Sequence, residues 1–155
     1  MNDLLKLFEA VVTTTALYGS CSWVMTRERK LQVAQRRMLR RVCSSARRPD
    51  EDWVDWIRRA TDYAEHCLKA HGADSWVVAQ RSRKWRWAGK VARMMPDRWA
   101  QLVLLWEPGG GHRRVGRPCR RWSEDLEEFC NDKDWILYAQ DDKAWQSCEA
   151  SFKLS

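Results

Sequence analysis

Apolar residues recur along the N-terminal half of this chain at intervals of three and four, the period of a helix with one buried face. Leu4, Phe8, Val11 and Tyr18 follow that spacing and Gly19 supplies a stop, which predicts a first helix of about 15 residues. Thr13 to Thr15 weaken it without forbidding it, because β-branched side chains lose rotamer freedom in a helix. Thr26 is placed to cap a second helix whose apolar stripe is Leu31, Ala34, Met38 and Val42. Arg47, Arg48 and Pro49 break the pattern, and Asp50 or Asp52 caps a third helix through Trp53, Trp56, Ala60, Tyr63 and Cys67. Gly72 ends that element. Asp74 or Ser75 opens the next, which carries Trp76, Trp87, Val91 and Met94 before Pro96. Pro96 and Asp97 open a short helix with Trp99, Leu102, Val103 and Trp106.

Glu107 to Pro118 holds Pro108, three consecutive glycines, Gly116 and Pro118, a composition that sustains no regular element. Trp122, Leu126 and Phe129 mark another short helix, and a last one near Asp141 to Phe152 presents Trp145, Cys148 and Phe152. No segment alternates apolar and polar residues long enough to argue a strand. The expected fold is all-α, a small bundle of about six helices, with the Gly/Pro-rich loop separating a short C-terminal helical subdomain. The stretches are 1–71, helical; 72–106, basic, Trp-rich and helical; 107–121, a Gly/Pro/Arg loop; and 122–155, an acidic helical tail. Trp53, Trp56, Trp76, Trp87 and Trp99 are assigned to the core, where a large indole buries most area.

Charge changes the picture by its placement. The net charge of +7 over 155 residues conceals a basic front and an acidic tail. Residues 27–48 hold nine basic residues against Glu28, a net +8, and Arg81 to Arg121 hold twelve against Asp97 and Glu107, a net +10. Residues 122–155 hold nine acids against three lysines, a net −6. Nucleic acid is therefore the leading partner for the basic part, ahead of an anionic membrane surface, and the acidic tail is expected to face elsewhere because it repels phosphate. The run from Leu4 to Leu17 is too short and polar for a membrane span or an export signal. Six scattered cysteines without a Cys-x-x-Cys pair suggest a reducing compartment inside the cell, nucleus or cytoplasm, and small buried hydrophobes in place of bridges. Cys67 and His71, beside His66, stand at i and i+4 but lack a second pair, so neither metal nor other cofactor is expected.

Four motifs, in order, resemble one family. LKLFEAVVTTTALYGSCSW (5–23), then a basic helix ending QRRMLRRV (35–42), resembles the segment after the catalytic palm of non-LTR, LINE-like retrotransposon reverse transcriptases. WRWAGKVARM (85–94) resembles that family's Trp-Ala-Gly-His-Val-x-Arg-Met, with Lys90 where histidine is usual. GRPCRRWSEDL (116–126) resembles Gly-Arg-Pro-x-x-Arg-Trp-x-Asp-Asp-Leu, and the tail from Asp134 to Phe152 is similar to the closing Ala-x-Asp-Arg-x-x-Trp pattern. The resemblance covers nearly the whole chain and implies a thumb-like helical segment over 1–71. It implies that Arg29, Lys30, Arg36, Arg37, Arg40 and Arg41 hold a template–primer duplex, whether RNA, RNA–DNA hybrid or DNA. Arg83, Lys84, Arg86, Lys90 and Arg93, with Arg117, Arg120 and Arg121, form the expected second contact surface.

Chemistry finds no carrier in the residues. Asp141 and Asp142 lie where a helix begins, and Asp50, Glu51, Asp52 and Asp55 read as capping acids without a partner strand. The chain is expected to be catalytically inactive alone, without a small-molecule substrate, and to be a monomer. A competing reading takes Arg113, Arg114, Gly116, Arg117, Pro118, Arg120 and Arg121 as an AT-hook in the minor groove, although Val115 replaces the first arginine of that core. A third is a basic helical module that binds an acidic protein or its own acidic tail.

Overall fold

The computed structural model describes residues 2–24, 28–43, 45–106, 120–131 and 134–154. Thr26 and the segment 107–119, with Cys119 and the expected contacts Arg113, Arg114 and Arg117, lie outside the described residues. The fold is all-α, and among the described residues there is no strand. Contacts divide the chain into two units: Met1–Gly19 with Arg27–Gln80, and Ser20–Thr26 with Arg81–Ser155.

In the first unit, α1 (Asn2–Leu7) passes into a π-helical turn (Phe8–Thr13) and then α2 (Thr14–Ala16). The threonines shape this wide turn: the Thr14 and Thr15 hydroxyls donate back to the Ala10 and Val11 carbonyls, diverting the ordinary ladder. Gly19, at φ +63°, is the expected stop. α3 (Glu28–Cys43) packs along α4 (Trp53–Ala70). The Asp52 side chain accepts from the Val54 N–H at 2.9 Å and so caps α4, while Gly72, at φ +77°, follows its end. α5 (Trp76–Ala92) contributes Trp76–Gln80 to this unit. Trp76 is its keystone: the indole stacks on Phe8 and donates to Thr13 Oγ1 at 2.8 Å, and its backbone N–H donates to Gln35 Oε1 at 2.8 Å.

Gln35 overturns the expected stripe of α3. The buried line is Gln35, Leu39 and Cys43, and Met38 is exposed. Both lines satisfy a 3.6-residue period, and a glutamine looks misplaced in an apolar stripe until its carbonyl is seen to cap α5.

In the second unit, the remainder of α5 is followed by α6 (Trp99–Leu105), α7 (Glu124–Cys130), α8 (Trp135–Tyr138), α9 (Asp142–Ser147) and α10 (Glu149–Leu154). Its core joins Trp85, Ala88 and Ala92 of α5 to Leu126, Trp135, Ala139, Trp145 and Phe152. Trp85 and Trp145 stack with centroids 3.7 Å apart, and each indole N–H donates to the other's backbone carbonyl, at 2.9 and 3.0 Å. Both buried indole donors are thereby satisfied. Gly89 admits the pair: a Cβ there would lie 2.6 Å from Trp145 Nε1.

Two core assignments are corrected. Trp53 is 58% exposed because it stands in the first turn of α4, beyond the inward run from Ala60 to Leu68. Trp99 is 80% exposed because short α6 turns Leu104, on the opposite side, toward the core. Trp76 is buried, and Trp56 and Trp87 are half-buried.

Candidate nucleic-acid interface

The basic residues of α3 fall into two lines. Lys30, Arg37 and Arg41, spaced by seven and four, share one side of the helix, opposite buried Leu39. All three are exposed, as is Arg29, and none of the four has an acidic partner among the described residues. Arg36 and Arg40 form the flank toward α4 and are already engaged: Arg36 Nε donates to Glu65 Oε1, and half-buried Arg40 donates to Thr61 Oγ1 at 3.0 Å. The six residues expected to act together thus separate into four unpaired cations and two that brace the helix pair.

The second expected surface is largely consumed by the tail. Lys84 is corrected outright: its side chain is 1% exposed, donates to both Asp125 oxygens at 2.6 and 2.7 Å, and sits 4.9 Å from the Trp122 ring centroid. Burial pushes its pKa down against the upward pull of Asp125. Arg86 holds Glu149 with a two-pronged grip, at 2.9 and 3.0 Å. Burial pushes the Glu149 carboxyl up, but hydrogen bonds from Arg86 and Ser82 outweigh it and hold the pKa below the usual range. Arg93 pairs with Asp142 at 2.6 Å and donates to the Ala139 carbonyl at 2.6 Å, and Arg120 lies within 3.7 Å of Glu124 and 3.5 Å of Glu128. Arg83 is half-buried and Arg121 exposed; exposed Lys90 meets no acid among the described residues. The acidic tail does not face elsewhere. It neutralises the basic helix within its own unit, an arrangement that charge counting by segment does not reveal.

Of the acids weighed for chemistry, Glu51, Asp52, Asp55, Asp141 and Asp142 are engaged in structure. The Asp141 carboxylate accepts from the Lys143 and Ala144 N–H groups and caps α9. Asp52 caps α4, and Glu51 accepts from Arg59 at 2.7 Å, hydrogen bonding that brings its pKa down to about 2. Cys21, Cys43, Cys67, Cys130 and Cys148 are free thiols. Burial, with Cys67 alongside, pushes Cys43 up to about 11, which leaves it protonated and unreactive at neutral pH. No described helix is long and apolar enough to cross a membrane.

The signal that sequence reading missed is a cavity between α3, α4 and the start of α5, of about 320 Å³, lined in part by polar Gln35, Arg36, Glu65 and Lys69 together with apolar Leu39 and Leu68. Gln35 is 4% exposed, and its Nε2 has no hydrogen-bond partner among the described residues. A buried donor left unmade costs about 1–3 kcal/mol. A lone glutamine among helical arginines carries no local mark of such a role.

No family model and no solved structure matches the chain. It is 27% identical over 158 aligned positions to a putative uncharacterized transposon-derived protein of Caenorhabditis elegans. The alignment covers 90% of this chain and 51% of that relative, so the chain spans about half the relative's length.

Proposed function

We propose that this chain binds nucleic acid through its phosphates, as the thumb-and-tail part of a LINE-like reverse transcriptase, and performs no chemistry by itself. The observation that carries the reading is the line of Lys30, Arg37 and Arg41 on α3, exposed and without acidic partners among the described residues, with exposed Arg29 on the neighbouring flank at the start of the helix. Along a helix the first interval spans about 10 Å and the second about 6 Å, so the line can track a phosphate backbone. Similarity to a transposon-derived protein supports the same reading at a coarser level, as does the order of the four motifs. Among the described residues the second contact surface keeps exposed Lys90; Arg113, Arg114 and Arg117 lie outside the described residues.

The experiment is binding to an RNA–DNA hybrid, an A·T-rich duplex and single-stranded RNA across a salt series. Steep weakening with salt and a preference for hybrid or RNA are expected. Preference for A·T duplex would move the activity to the Gly116-Arg117-Pro118 segment. Absence of binding at low salt would overturn the reading.

A further inference from the structure

We propose that the cavity between α3, α4 and the start of α5 receives an unpaired nucleobase, an inference that rests on the nucleic-acid reading above. Its volume of about 320 Å³ lies at the small end of ligand cavities, about 300–1,000 Å³. Leu39 and Leu68, both buried, give it an apolar lining suited to the face of a flat ring.

Gln35 supplies the recognition. The Trp76 N–H can only donate, so the amide atom facing it at 2.8 Å must be the oxygen. The orientation of the amide is thereby set, and Nε2 is left as a buried donor without a partner among the described residues. Gln35 lines the cavity, so a base seated there that brings an acceptor to this solvent-shielded nitrogen satisfies it.

Charge selects the kind of acceptor. Arg36 and Lys69 line the cavity, but so do Glu65 and Asp74, and Glu65 is paired with Arg36. An isolated phosphate would meet two carboxylates there. A neutral heterocycle meets no such opposition: a ring carbonyl or ring nitrogen accepts from Gln35, and an amino group donates to Asp74 or Glu65. Bases splayed from a single strand present those edges. The helix that carries Gln35 also carries the phosphate-tracking line on its other side.

The test compares single-stranded RNA with an abasic oligonucleotide of equal length and charge, on the wild-type chain and on Gln35→Glu. That variant keeps an oxygen for the Trp76 N–H and removes the donor. The wild-type chain is expected to bind the intact strand about tenfold more tightly than the abasic one, and Gln35→Glu to erase the difference. In the wild-type chain, the Gln35 side-chain amide resonance is expected to shift with uridine if free nucleosides enter, or with the oligonucleotide alone if only strand bases do. Equal affinity of the wild type for both oligonucleotides, or a difference that persists in Gln35→Glu, overturns the base site while leaving phosphate binding intact. Failure of both oligonucleotides to bind at low salt overturns the nucleic-acid reading itself.

Discussion

Gly89 shows how much one residue decides. In an exposed helix interior, glycine to alanine stabilises by about 1 kcal/mol. Here the added methyl would lie 2.6 Å from Trp145 Nε1 and press on the stacked indoles. Overpacking of about 1–3 kcal/mol outweighs the helical gain, so Gly89→Ala is expected to lower stability in denaturant melts, with little change in nucleic-acid affinity. Lys84 makes the complementary case. Lys84→Ala strands the Asp125 carboxylate, whose side chain is 21% exposed, and should cost up to about 3 kcal/mol. Replacing the pair together, Lys84→Met with Asp125→Leu, is expected to restore most of that loss in the same melts. Lys84 in a basic motif reads as a surface residue, and Gly89 inside a helical stretch carries no mark of close packing. Their places in a core follow from partners in the tail, about sixty and forty residues away, and nothing in their immediate neighbours in sequence signals it.

At the scale of the element, α3 divides into a free line and a braced flank. Changing Lys30, Arg37 and Arg41 together to glutamine is expected to flatten the salt slope by about 0.9 per lost contact on duplex DNA, or about 0.7 on a single strand, with melting little altered. Arg86→Gln with Arg93→Gln is expected to do the reverse, lowering the melting temperature and sparing affinity, because their partners are Glu149 and Asp142. The start of α4 carries a pH signature. Glu51 titrates at about 2 when folded against an ordinary value of 4.5, so its contribution is complete above pH 4.5 and is lost as pH falls toward 2. Glu51→Gln should remove that part of the acid dependence, read from melts at stepped pH. Most helices were legible from periodicity and caps, including Asp141 and the stops at Gly19 and Gly72. α8 was not, because four residues span barely one turn and show no period.

Across the whole molecule, the tail alters what the net charge means. Its acids engage Lys84, Arg86, Arg93 and Arg120, so fewer cations of the second basic stretch are left for a polyanion than its count of twelve suggests, while four on α3 stay unpaired among the described residues. If the four unpaired α3 cations each neutralise one phosphate, the logarithm of affinity should fall with that of salt at a slope of about −3.6 on duplex DNA and about −2.8 on a single strand. A slope twice as steep would show that the second basic stretch is also in contact. By itself the sequence determined what is local or periodic: the all-α class, the capping acids, and a basic α3, whose six cations it left as one group. Only the tertiary structure decided which apolar line of α3 is buried, that Trp53 and Trp99 lie outside, that Lys84 lies inside, and that Gln35 holds a donor free. The physical reason is the same each time: a helical period defines faces, while the partners that cover a face or compensate a charge come from distant parts of the chain.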